Sequence, residues 1–331
     1  MGLIDQAPAQ GRDEVALSAL SFVDRMAPYT SDIMVDGRRI RYACRGDGPA
    51  VLLCHGIPLA MATWQDLFFE LSENYRVFAL DMPGYGASDK TFGDYSLDAI
   101  SLEIARFCGR MGIDQVFVAG SSFGAAVAVT LSIRFPGLVR GAVLINSVGI
   151  DGGTHAVERA ARIGLLRYAM RNALLRKGFG RQIFRSKLRA SYARLVPDEK
   201  LVDHYYRLLL KDRGEESFLQ TLRQFSERDL QQQLPELEKP VLLIWGTEDR
   251  VLPVARSVAV QKRIRNCWCV LVPGAGHLPH EEQPRHCAGL MHQFFSMTTR
   301  FPSSLSPCPA MEGPRPVPDR SVDRSAAERL A

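Results

Sequence analysis

The chain has 331 residues, of which 46% are hydrophobic and 23% charged, with a net charge of +5. These are the values of a globular protein with one large or two ordinary domains. No apolar run approaches the ~20 residues a membrane span needs, which argues against an integral membrane protein.

The N-terminus, MGLIDQAPAQGRDEV, has no basic start followed by an apolar run, so it does not read as a secretory signal. Gln6 stands where a myristoylation signal needs Ser or Thr. The seven cysteines, at 44, 54, 108, 267, 269, 287 and 308, are therefore expected to be reduced thiols in a cytoplasm. Cys267-Trp-Cys269 has no second pair nearby and reads as a strand, not a metal site.

Residues 1–30 are polar and aperiodic and are expected to form a flexible arm. From Ile33 the pattern alternates on both sides of Asp36-Gly37, the signature of a hairpin. Val51–Cys54 is a continuous apolar run ending at His55-Gly56. A helical stretch follows through Trp64, Leu67, Phe68 and Leu71. Arg76–Leu80 repeats the strand pattern and stops at Asp81. A helix is predicted from Leu97 to Met111, with Ile100, Ile104, Phe107 and Cys108 as its apolar stripe. Val116–Ala119, Ala142–Ile145, Val241–Trp245 and Cys269–Val272 are further buried-strand candidates, and a last helix lies around Cys287–Phe295.

Short apolar runs alternating with helices predict an α/β fold with a mostly parallel sheet covered on both faces. The charged, helix-rich stretch 151–237 interrupts that alternation and is expected to form a cap over the sheet's C-terminal edge. The core is then 31–150 and 238–300. Residues 301–331, rich in Pro, Ser and Arg, read as a disordered tail.

The chemistry concentrates where strands end. Val116–Ala119 runs into Gly120-Ser121-Ser122-Phe123-Gly124 and then into a helix rich in small residues. Gly-x-Ser-x-Gly in a strand–turn–helix setting forces the serine into a strained conformation and lifts its hydroxyl clear of the sheet. A hydroxyl needs a base and a group to orient that base. Asp249 follows the Val241 strand and His277 the Cys269 strand, so both can converge on Ser122. Glu248 is the alternative acid. His280 lies three residues beyond His277 and is expected to pack as a support. His155 reads as a solvated loop residue, and Ser121 as filling a small buried space. Asn146 ends the preceding strand and cannot carry the acid's charge.

With that order, Ser then Asp then His, the chain resembles the α/β-hydrolase family, in its serine-nucleophile form with a helical cap. The likeness spans roughly 33–297. His55-Gly56-Ile57-Pro58 resembles the family's turn after its third strand, and Asp81-Met82-Pro83-Gly84-Tyr85-Gly86-Ala87-Ser88 its loop after the fourth. The resemblance implies Ser122 as nucleophile, His277 as general base and acid, and Asp249 as the group orienting it. It implies an oxyanion hole from the backbone amides of Ile57 and Phe123, supported by His55, Gly56, Gly120 and Gly124. It implies no metal or organic cofactor. A serine suits acyl chemistry, whereas the haloalkane dehalogenases and epoxide hydrolases of this fold need a carboxylate at that position. The implied function is hydrolysis of a small-molecule carboxylic ester with apolar groups. A carbon–carbon hydrolase, an acyltransferase or thioesterase, and a non-catalytic ligand binder use the same scaffold.

Between Arg159 and Arg194 stand eleven Lys or Arg and no acid. Ile163, Leu166, Met170, Ala173 and Leu174 follow helical spacing there. Such a helix can pack its apolar face on the core with a solvated basic face, lie on an anionic membrane surface, or receive an anionic substrate. No aromatic-rich basic platform accompanies the charge, so nucleic acid is not an expected partner. The expected location is cytoplasmic, with membrane-peripheral contact through the basic cap as the variant.

Overall fold

In a computed structural model eight strands form one sheet, and six of them are short, mostly apolar runs. Residues 16–17, 25–91, 93–149, 162–176 and 178–300 are described. The strands are β1 (Thr30–Val35), β2 (Arg38–Arg45), β3 (Ala50–Cys54), β4 (Arg76–Leu80), β5 (Val116–Ser121), β6 (Val139–Ile145), β7 (Val241–Gly246) and β8 (Cys267–Val272). Their order is β8-β7-β6-β5-β3-β4-β2-β1. Strands β3 to β8 pair in parallel, and only β1 and β2 run antiparallel to their neighbours. The β1–β2 hairpin turns through Asp36 and Gly37, both with positive φ (47° and 81°), the geometry that Asp-Gly favours.

The strand period of two divides the core into two layers. Leu52, Val116 and Val118 pack on one face, against Ile100, Ile104 and Phe107 of α2 (Leu97–Arg110) and Val127 and Leu131 of α3 (Phe123–Arg134). Val51, Leu53, Phe117 and Ala119 pack on the other. There they meet α1 (Gln65–Leu71) and the C-terminal helix. The strands β3 to β7 are apolar on both faces because both faces are covered, whereas the edge strand β8 leaves Leu271 exposed.

Between β6 and β7 the chain leaves the sheet, and among the described residues there it forms five α-helices, α4 (Gly164–Leu175), α5 (Phe179–Ala190), α6 (Glu199–Leu210), α7 (Gly214–Gln224) and α8 (Glu227–Gln233). Then come α9 (Ala255–Arg263), the short α10 (Pro279–Glu282) and α11 (Pro284–Arg300), whose Met291 and Phe295 complete the second layer. The insertion has its own small core, in which Phe184, Leu188, Tyr192, Val202, Tyr205 and Leu209 meet Leu59, Ala60 and Leu278 from the sheet's loops. Asp198 starts α6 by accepting the Leu201 amide at 2.7 Å, a standard N-cap.

Two expectations need correction. The segment 1–30 does not stand wholly apart from the fold, because Ala16–Leu17 pairs in parallel with Val196–Pro197 and β1 already begins at Thr30. The helical stripe expected on α4 is also split. Met170, Ala173 and Leu174 face inward, but Ile163 and Leu166 are exposed and no residue of α4 is buried. The remaining arm residues, His155 with the first part of the expected cap, and the tail 301–331 lie outside the described residues. Among the described residues no helix is long and apolar enough to cross a membrane.

Candidate active site

The sheet changes direction of winding between β3 and β5, and the crevice at such a point is where open α/β sheets bind ligands. Cys54 at the end of β3 is in register with Gly120 near the end of β5, so the two turns that follow lie side by side. Ser122 sits in the second of them with φ 53° and ψ −113°, a strained conformation for any residue with a side chain. The two flanking glycines are a steric necessity. A Cβ on Gly120 would lie 2.0 Å from the Gly124 carbonyl oxygen, and one on Gly124 would lie 2.1 Å from that of Cys54. Ser122 occupies the N-cap position of α3, yet its hydroxyl makes no capping bond and is left available.

The neighbouring turn is fixed from below by His55. Its Nε2 accepts the Met82 amide at 3.1 Å, so the proton sits on Nδ1, which donates to the Gly56 carbonyl at 2.9 Å. Burial lowers the His55 pKa, keeping the ring neutral. A Cβ on Gly56 would come within 3.2 Å of the Ser122 Cβ, so the Gly56–Ile57 turn lies directly against the serine. Asp81 ties the next loop in place, accepting the Met61 amide at 2.8 Å and the Ala87 amide at 2.7 Å.

His277 and Asp249 meet across the ends of β8 and β7. The His277 Nδ1 and Asp249 Oδ2 are 2.8 Å apart, and both residues are buried. Asp249 Oδ1 accepts the amides of Val251 (2.7 Å) and Leu252 (2.8 Å), and Asn146 donates its side-chain amide to Oδ2. Burial pushes this carboxyl up, but the electrostatic pull and hydrogen bond of the His277 ring, with the hydrogen bonds from Leu252 and Asn146, outweigh it and hold Asp249 below the usual carboxylate range. Glu248, the alternative acid, is exposed beside it, its side chain outside this network. Asn146 thus holds the carboxylate from the position after β6.

His280 is not in the cavity. It is buried against Trp64 with ring centroids 4.2 Å apart, and its Nε2 lies 3.0 Å from Thr63 Oγ1. Burial, helped by the His277 charge, takes its pKa down to about 3. Ser121 is fully buried.

A cavity of about 400 Å³ lies over Ser122 and His277. Ile57, Leu59, Leu278 and Val251 come from the sheet's loops, and Met170, Leu174, Ile183, Phe184, Leu209 and Phe218 from the insertion. Lys187 is the single charged side chain among the residues lining it. This size and apolar character suit a small organic ligand, for which sites run about 300–1,000 Å³.

The insertion is also fastened to the histidine. The His277 amide donates to the Ser191 carbonyl at 2.7 Å. One oxygen of Glu282 takes the Gly276 amide at 2.7 Å, while the other takes those of Ala193 (2.8 Å) and Arg194 (3.0 Å). Glu281 alongside accepts from Thr63 and, at 2.6 Å, from the Tyr192 hydroxyl. Burial lifts its carboxyl to about 7 against those hydrogen bonds. Sequence reasoning missed both glutamates; the only local sign is a pair of acids in the turn after Gly276-His277, just before a proline-started helix.

Residues 49–284 match the model of the alpha/beta hydrolase fold family, and the chain belongs to that family. It is 28% identical over 280 residues to an uncharacterised protein of Mycobacterium tuberculosis, covering 80% of each chain. It is 26% identical over 266 residues to haloalkane dehalogenase 2 of the same species, covering 77% of this chain and 91% of that one. Among solved structures, a membrane phospholipase A described as a bacterial virulence factor superposes with a TM-score of 0.69 at 25% identity, over 85% of this chain and 90% of that one. The protein is thus a hydrolase-family enzyme with an apolar cavity over a strained serine.

Proposed function

We propose that the protein hydrolyses carboxylic esters with apolar acyl or alcohol groups through an acyl-serine intermediate, with the helical insertion acting as the cap that selects them. The observation that carries this reading is that Ser122 and His277 line one apolar cavity while Asp249 holds the far side of the imidazole. With Nδ1 donating to Asp249, Nε2 is free to accept a proton.

In this reading Ser122 Oγ attacks the ester carbonyl carbon as its proton passes to His277 Nε2. The tetrahedral oxyanion is met by the amides of Ile57 and Phe123, each worth about 3 kcal/mol by comparison with other hydrolases. Collapse breaks the bond to the alcohol, which leaves with the proton from Nε2. Water then attacks the acyl-serine, gives a proton to Nε2, and the second collapse returns that proton to Ser122 as the acid departs. Asp249, held as the anion, stabilises the imidazolium in both halves. Haloalkane dehalogenase chemistry does not carry over, since displacing halide at a saturated carbon needs a carboxylate where this chain has Ser122. An apolar cavity is in keeping with the phospholipase among the structural relatives.

The test is turnover of p-nitrophenyl esters from acetate to palmitate by wild type and by Ser122→Ala. Turnover that the variant loses while remaining folded is the expected result. No turnover across the series, with activity instead on a thioester or a dienoate-type diketone, would move the assignment to an acyltransferase or a carbon–carbon hydrolase.

A further inference from the structure

Helix α4 is built unlike the other helices of the insertion. At 100° per residue it presents three faces, with the exposed Leu166 on the cavity side beyond the cavity's end and Tyr168 bordering the second face as well as the third. Met170, Ala173 and Leu174 line the cavity over Ser122. Arg167 and Arg171 turn to one side, into a hollow of about 520 Å³ shared with Lys90, Arg213 and Glu216. The third face, opposite the cavity, carries Leu165, Tyr168 and Leu175, and these are exposed: Leu165 by 77% and Tyr168 by 62%. Ile163 before the helix and Phe179 just after it are each 54% exposed. A helix apolar on opposite faces, with one face in water, calls for an apolar partner on that face.

The charge around the face says which partner. From Arg159 to Arg194 the chain has eleven cations and no acid. Some of these cations are engaged elsewhere: Arg181 and Arg185 pair with Glu199, and Arg171 with Glu215 and Glu216. Arg176 lies over the Phe179 ring at 5.8 Å, at the edge of the apolar face. Arg167 adds its charge in the hollow beside Tyr168. A second copy of the chain would bring this cationic rim against itself in a two-fold contact, which like-charge repulsion opposes. An anionic lipid surface supplies apolar depth for the leucines and aromatics, and phosphates for the arginines.

We propose that the outward face of α4, with Leu165 and Tyr168 at its centre and Arg167 and Arg176 at its rim, docks on an anionic lipid bilayer. The inward face of the same helix roofs the cavity, so docking sets the bilayer about one helix diameter, ~10 Å, from the cavity. This deepens the ester-hydrolase reading and rests on it for one consequence: the substrate is an ester with a long acyl chain that partitions into membrane.

Flotation of the full chain with vesicles of phosphatidylcholine, with and without phosphatidylglycerol, tests the docking without requiring turnover, so its outcome is independent of the ester assignment. The expected result is flotation with the anionic vesicles alone. The bound fraction should fall about tenfold in Leu165→Asp and further in the double variant with Tyr168→Ser. Turnover of a soluble short-chain ester should stay within about twofold, because neither residue lines the cavity. Four results would overturn the proposal. These are equal, negligible flotation with both vesicles, anionic binding that survives both substitutions, displacement by inorganic phosphate at matched ionic strength, and a concentration-dependent dimer that Leu165→Asp dissolves in place of vesicle binding.

Discussion

The floor and the roof of the cavity are held by opposite means. On the floor, Ser122 sits at positive φ between two glycines that admit no side chain, against a turn that His55 fixes from beneath. In the roof, α4 has no buried residue and meets the cavity through Met170, Ala173 and Leu174. The difference has a functional logic. Groups that must meet a reacting atom within tenths of an ångström need an over-determined backbone, whereas groups that accommodate a chain of variable length need only an apolar wall. Strain on the floor is tolerated because the sheet leaves the turn no alternative.

Four substitutions test this contrast. The largest effect is expected at the floor, where Ser122→Ala should lower ester turnover by about 10⁴-fold or more with little change in urea stability. Gly124→Ala should destabilise the whole fold by about 3 kcal/mol or more, because its methyl would press on the Cys54 carbonyl, and a urea melt would register it. Leu174→Trp in the roof should instead leave acetate turnover within about twofold while lowering kcat/KM for the longest ester about tenfold. An equal loss for both esters would mean that the roof positions the reaction as well as the chain.

The smallest effect belongs to the joint between the two. Glu281 is lifted to about 7 in the folded protein by burial, above the ~4.3 of an unfolded glutamate. As pH rises from about 4.5 the unfolded chain ionises first, so the stability this group lends at low pH is lost by the time the pH passes 7. Glu281→Gln should therefore have a Tm about 2–4 °C higher relative to wild type at pH 8 than at pH 5. A pH-independent difference would show that this carboxyl does not titrate with folding.

What the sequence revealed follows the same division. Ser122, Asp249 and His277 were legible because each stands just after an apolar run, and a parallel sheet brings all such positions to one edge. The hairpin at Asp36-Gly37 was legible because two consecutive positive φ values favour that dipeptide. The roof was less so. Helical spacing located α4 and put Ile163 and Leu166 on one apolar stripe with Met170, without deciding what that stripe meets. Which face a lone amphipathic helix buries is decided by neighbours distant in sequence. Asn146 was read only as a missing charge, although its amide holds Asp249. The Glu282 clasp joins Gly276 to residues about eighty positions earlier, and the paired acids after His277 say nothing of what they hold.

The proposed reaction requires that Ser122 itself carry the acyl group. Intact-protein and peptide mass spectrometry after brief exposure to a p-nitrophenyl ester, quenched in acid, measures this directly. The expected result is a mass increase equal to the acyl group on the peptide containing Ser122, absent from Ser122→Ala. An acyl group on another residue, or ester turnover that persists in Ser122→Ala, would contradict it.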